Sequence, residues 1–217
     1  MGRSVVTNAR WRAVALVAAL AAAVWLVVLL GMPEEADARS RFRTVTKTFS
    51  NPTAITINQA GSALPYPSAL AAGGMRRGKI LDVNVTLNGY SHTFPDDVDV
   101  MLVGPGGQNL IIMSDVGETA DTNNITLTLD DEAASFLPDG NGVVSGTFKP
   151  TDHDFNEFSG TDNFPSAPAP SGAFVLSTFD GTNPNGLWSL YVHDDLGPDG
   201  GQFAGGWSLQ IKAKVRR

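Results

Sequence analysis

The chain divides by its hydrophobic pattern into an apolar head and a long β-patterned body. Ala13 to Leu30 runs without a charged or polar side chain. Beyond it the apolar positions recur with strand spacing. Leu81, Val83, Val85 and Leu87 alternate with Asp82, Asn84, Thr86 and Asn88. This period of two predicts a strand with one wet face. Ile125, Leu127 and Leu129 repeat the pattern against Thr126, Thr128 and Asp130. Val98 to Val103 and Leu110 to Met113 are unbroken apolar runs, so they read as strands covered on both faces, joined by a hairpin at Gly104-Pro105-Gly106-Gly107. Thr44 to Phe49, Ala54 to Ile57, Leu187 to Val192 and Trp207 to Ile211 complete a set of about nine short strands. Ser68 to Ala72 is read as one helical turn at most. Thr151 to Gly172, rich in Pro, Ser and Asp, is read as a long surface loop. No longer segment has a helical period, and the turn signals between strands predict an all-β antiparallel sandwich or barrel.

The head has the order of an export signal. Arg3, Arg10 and Arg12 precede the apolar run, Gly31 and Pro33 break it, and Ala36-Asp37-Ala38 supplies small residues around a cleavage site. Residues 1–38 therefore read as a signal peptide cut after Ala38, or as an uncleaved signal anchor. The run lies at the short end of the roughly 17–25 residues that span a bilayer. Either way the body is expected to be secreted or extracytoplasmic, touching a membrane only through residues 13–30 if these are retained. Residues 39–43 (RSRFR) read as a basic lead-in, and 44–217 as the folded domain.

Composition narrows the function. The formal net charge is −7 at pH 7, and losing the head leaves it unchanged, because three Arg depart with Glu34, Glu35 and Asp37. An acidic domain repels phosphates, so nucleic acid is not an expected partner. There is no cysteine, so an exported domain must be held by packing or bound metal instead of disulfides.

Two acidic turns carry the candidate chemistry. Asp96, Asp97 and Asp99 cluster between strands, and Asp194, Asp195 and Asp199 cluster beside Gly197, Gly200 and Gly201. Six to eight oxygens suit Ca²⁺, and acidic glycine-rich turns can supply them. The same residues also favour plain turns, because Asp bonds its own backbone and Gly allows positive φ. Asp130-Asp131-Glu132 reads as a solvated strand end that discourages edge pairing. Three scattered histidines, His92, His153 and His193, with no cysteine are a poor zinc set. They also make a poor Ser-His-Asp triad. His193 and Asp194 are strand neighbours that point to opposite faces, and no Gly-x-Ser-x-Gly turn is present. Trp188 and Trp207 read as core, while Tyr66 and Phe203 lie near turns where exposure is open to them.

Three blocks resemble one family. HTFPDDVDVMLVGPGG (His92 to Gly107), ITLTLDDEA (Ile125 to Ala133) and LSTFDGTNPNGLWSLYVHDDLGPDGGQFAGGWSLQI (Leu176 to Ile211) are similar to signatures of the P domain, also called P/homo B. That module follows the catalytic domain of proprotein convertases and many bacterial subtilisin-like serine proteases. The third block carries the most specific positions: Phe179, Gly181, Asn185, Gly186, Trp188, Leu190, Val192, Asp194, Asp199, Gly200, Trp207, Leu209 and Ile211. The resemblance implies a jelly-roll sandwich of about eight strands that stabilises or tunes a protease. No catalytic domain precedes it in this sequence, so the expected role is that of a non-catalytic module acting on a protein partner such as an exported protease. Two alternatives stay open: a subunit or fragment of a serine endopeptidase, and a Ca²⁺-dependent adhesion or glycan-binding domain.

Overall fold

The structure is a computed structural model that describes residues 41–153 and 162–217. Residues 1–38, expected as a signal segment, and residues 39–40 of the expected lead-in lie outside the described residues. The folded unit begins at Phe42, two residues before the expected boundary, because Phe42 and Arg43 already pair in the first strand.

Among the described residues thirteen strands form two facing sheets. The first holds β1 (Phe42–Asn51), β13 (Trp207–Arg216), β5 (Lys79–His92), β12 (Gly201–Phe203) and β2 (Ile55–Ile57) in that order, with β8 (Thr122–Leu129) also on β5 and β9 (Gly146–Phe148) on β8. The second runs β10 (Thr151–Asp152), β7 (Asn109–Ser114), β6 (Val98–Val103), β11 (Gly186–Asp194) and β3 (Gly61–Ser62), with β4 (Ser68–Ala72) also on β11. The chain repeatedly crosses from one sheet to the other, as in a jelly roll. Pairing is antiparallel except for β8 with β9 and β7 with β10.

The core lies between the sheets. Trp188, Trp207, Tyr90, Phe179 and Phe203 are its largest fully buried side chains. Each contributes on the order of 1.5–3 kcal/mol by leaving water. Both indole N–H groups find acceptors: Trp188 Nε1 donates to the Pro184 carbonyl at 3.1 Å, and Trp207 Nε1 to Ser68 Oγ at 3.0 Å. The tryptophans are thus core, as expected. Phe203 is buried too, and Tyr66 is half-buried against Tyr191.

Two local irregularities in β5 decide which residues reach the core. Val83, Val85 and Leu87 face inward as the alternation predicts, but Leu81 is 44 % exposed and Ile80 takes its place. Asp82 pairs with Lys212 while Ile80 pairs with Ala213, which leaves Leu81 as an extra residue. A bulge of this kind reverses the in–out phase. The second lies at Gly89, whose φ of 68° suits glycine. Asn88 and Tyr90 oppose successive residues of β8, Thr126 and Ile125, and the shift turns Tyr90 and His92 inward.

Strands β6 and β7 are covered on both faces, as their apolar runs predict. Val98, Val100 and Leu102 join the main core. Met101 and Val103 face the other way and pack with Phe164 from the expected surface loop, so part of that loop is a packed strap. Asn109 fastens it further. Its side chain donates to the Ala169 carbonyl at 3.0 Å and accepts from the Ser171 amide at 2.7 Å. Ser68–Ala72, expected as a helical turn at most, is strand β4, paired along β11 from Gly186 to Leu190.

Candidate functional site

Two of the expected features meet at one end of the sandwich. The chain leaves β5 through a 3₁₀ turn at Pro95–Asp97 and enters β6. Strand β11 ends beside it, with Asp194 opposite Val98, and the Asp195 amide donates to the Asp97 carbonyl at 3.0 Å. This pairing gathers Asp96, Asp97, Asp194, Asp195 and Asp199. The Asp97 carboxyl is pushed up to about 7, first by burial and then by the charges of Asp194, Asp195, Asp199 and Asp96. Asp199 accepts from the Thr93 hydroxyl at 2.7 Å. Gly201, expected to help wrap an ion, serves the packing of strands. A Cβ there would strike the Ser91 carbonyl, so its small size lets β12 approach β5.

Asp194 points inward, away from the other acids of its turn. The alternation of β11 buries Trp188, Leu190, Val192 and Asp194 on one side and leaves His193 on the other. Asp194 Oδ2 lies 3.1 Å from His92 Nε2, with both side chains fully buried. The other ring nitrogen, Nδ1, lies 2.8 Å from the Phe94 carbonyl. Both nitrogens therefore face oxygens. The Phe94 amide also donates to Nδ1, at 3.2 Å. Burial raises the Asp194 carboxyl, and the nearby imidazole opposes that rise. Each side chain gives the other the polar contact that burial would otherwise deny it. No residue pattern in the sequence points to His92, since a histidine at a strand end reads as a loop residue. An open cleft of about 450 Å³ lies beside it, lined among others by Ser91, Thr93, Asp121 and Gln202.

Asp99 belongs to a second group. It sits one step along β6 from the core-facing Val98 and Val100, so its side chain shares the outer face with Met101 and with His193, its register partner on β11. One carboxylate oxygen from each of Asp99, Asp115 and Asp162 lies within 4.8 Å of the others. Among the described residues these are the three acids so placed. Asp115, just past β7 with φ of 53°, and Asp162, at the start of the strap, lie outside both acidic turns of the sequence. Asp99 is 2 % exposed, and its carboxyl is held well above the usual range by burial and by Asp162, Asp195 and Asp115, against one hydrogen bond from Ser114.

The remaining candidates have structural roles. Asp131, expected to be solvated, accepts the Leu176 and Ser177 amides at 2.7 and 2.8 Å and so caps the 3₁₀ turn at Leu176–Phe179. That expectation failed because its partners lie far away in sequence. His153 Nε2 bonds the Leu137 carbonyl at 3.0 Å. Gly104–Gly107 is the hairpin turn expected, closed by the Gly104 amide donating to the Gln108 carbonyl at 2.8 Å.

No known family's sequence profile matches the chain, and no curated protein sequence does. Among solved structures it is similar to a serine protease of Aeromonas sobria, at 12 % identity and a TM-score of 0.40, over 79 % of this chain and 27 % of that one. A structure of the Aeromonas sobria protease with its chaperone gives 12 % identity and a TM-score of 0.41, over 81 % and 27 %. The chain spans about a quarter of the length of these structures.

Proposed function

We propose that the unit from Phe42 onward is a non-catalytic, exported β-sandwich module of P-domain type that binds and stabilises a protein partner, foremost a subtilisin-like serine protease. The observation that carries this reading is where the three family-like blocks fall. His92–Gly107 forms the end of β5, the 3₁₀ turn, β6 and its hairpin, Ile125–Ala133 forms β8 and its exit, and Leu176–Ile211 forms β11 to β13. They supply Trp188, Trp207, Phe179 and the His92–Asp194 pair to one core. Motif positions spent on core packing support a scaffold role better than a reactive one. Both nitrogens of His92 are engaged within the fold, Nδ1 by the Phe94 backbone and Nε2 by Asp194, which leaves neither facing a serine hydroxyl. The loops at the acidic end then do the recognition, carried on a rigid frame.

The test is a pull-down with the purified chain from culture medium and envelope, beside a casein-cleavage assay. The reading expects a specifically retained protease and no casein turnover. Inhibitor-sensitive turnover by the chain itself would replace it with the endopeptidase reading. EDTA-reversible retention of polysaccharide alone would replace it with adhesion.

A further inference from the structure

We infer that Asp99, Asp115 and Asp162 form a Ca²⁺ site that fastens the strap beginning at Asp162 onto the outer face of the second sheet. This inference is independent of the protease partnership.

The site brings together three separate parts of the chain: the middle of β6, the exit of β7 and the strap. Their three carboxylate oxygens fall within 4.8 Å of one another. Ligands on one Ca²⁺, at about 2.3–2.6 Å from the ion, lie at most about 5 Å apart, so this spacing suits a common centre. A second observation points the same way. Asp99 is almost wholly buried, yet its Oδ2 has no hydrogen-bond donor among the described residues. Leaving a buried carboxylate oxygen without a donor is costly. The hydroxyl that bonds the other carboxylate oxygen is itself overcommitted. Ser114 Oγ lies 2.7 Å from Asp99 Oδ1 and 2.7 Å from Asp115 Oδ2, and a hydroxyl has one proton to give. The groups acting on Asp99 are that hydroxyl and three further acids, Asp162, Asp195 and Asp115. A divalent cation answers the whole deficit.

The donors are all hard oxygens, which selects Ca²⁺ or Mg²⁺ over zinc or copper. Three carboxylates from separate segments suit Ca²⁺, since Mg²⁺ holds most of its water and takes one or two carboxylates. The consequence for the fold is local. Asp162 stands two residues before Phe164, which covers Met101 and Val103. With the ion bound, Phe164 is held down. Without it, mutual repulsion pushes Asp162 and the strap away.

The experiment uses the full chain stripped with EDTA. Titration calorimetry with CaCl₂ should show one site with Kd on the order of 10⁻⁴–10⁻³ M, as in extracellular modules. Hydrogen exchange of the Ala167 amide, which donates to the Phe164 carbonyl at 3.0 Å, should slow at least about tenfold with saturating Ca²⁺, a change of about 1.4 kcal/mol in strap opening. Asp162→Asn, at a half-buried position, should fold with an unchanged far-UV spectrum and lose both effects. Several outcomes overturn the inference: no heat with Ca²⁺, equal binding by Asp162→Asn, or Mg²⁺ binding as tightly as Ca²⁺. A site lost instead through Asp199→Asn would place the ion at the acidic turns.

Discussion

His92 and Asp194 depend on each other because neither can reach water. Replacing His92 with Leu strands the Asp194 carboxylate, whose Oδ2 would lose its partner in the core. Breaking one side of a buried pair costs about 3–5 kcal/mol. Urea denaturation of His92→Leu should show a loss of this size, and adding Asp194→Leu should recover part of it. A loss below about 1 kcal/mol would mean that the pair is wetter than its burial indicates. Asp97 makes a pH-dependent contribution of the opposite kind to an ordinary salt-bridged acid. Its carboxyl sits near 3.8 in an unfolded chain and at about 7 in the fold. Between those values the folded state keeps a proton that the unfolded chain has released, so stability falls as pH rises through that window. In EDTA the melting temperature should drop between about pH 5 and pH 7.5, and Asp97→Asn should flatten the drop. A wild-type profile that rises over this window would refute the assignment.

At the scale of elements, close approach of strands is the sharpest constraint. Gly201→Ala would drive a methyl group into the Ser91 carbonyl and, at 2.6 Å, into the His92 ring. The backbone must yield, and β12 must lift from β5. We expect a loss of about 1–3 kcal/mol, the usual range for overpacking, while Gly73→Ala, with open space around its Cβ position and no positive φ, should disturb no packing. Equal melting temperatures for wild type and Gly201→Ala would show that β12 is loosely held. The same strands show what a sequence can and cannot reveal. The alternation in β5 and the apolar runs of β6 and β7 are readable because burial repeats with the strand period. The bulges at Leu81 and Gly89 are not, because an extra residue is defined only against a partner strand. Strand β4 is hidden for a related reason: SALAA has little strand preference, and its pairing with β11 decides its form. The acidic turns were legible as turns. Which acids share a space was not, since Asp97 ends the 3₁₀ turn while Asp99 takes the outer face of β6, where residues distant in sequence, Asp115 and Asp162, come beside it.

Across the molecule, the many crossings between sheets mean that neither sheet can be completed before the other. Trp188 sits in one sheet and Trp207 in the other, and both are wholly buried. In a chain begun at residue 39, which lacks Trp11 and Trp25, fluorescence melts of Trp188→Phe and of Trp207→Phe, each reporting on the opposite sheet, should coincide with the far-UV melt of the same variant. Separate transitions within one variant would divide the sandwich into independently melting sheets. Refolding should be slow, in milliseconds to seconds, because most contacts join distant parts of the chain.

The ladder between β1 and β13 has a mechanical meaning. Phe42 lies opposite Arg216 and Asn51 opposite Trp207, so the two outer ends of the ladder leave the domain side by side. A force drawing those ends apart acts across the strands and loads one rung at a time. Such a ladder peels under tension where a sheared one would resist until all its rungs failed together. The first strand to come away is also largely exposed, so stretching would uncover the free edge of β13 while the core between the sheets stayed closed.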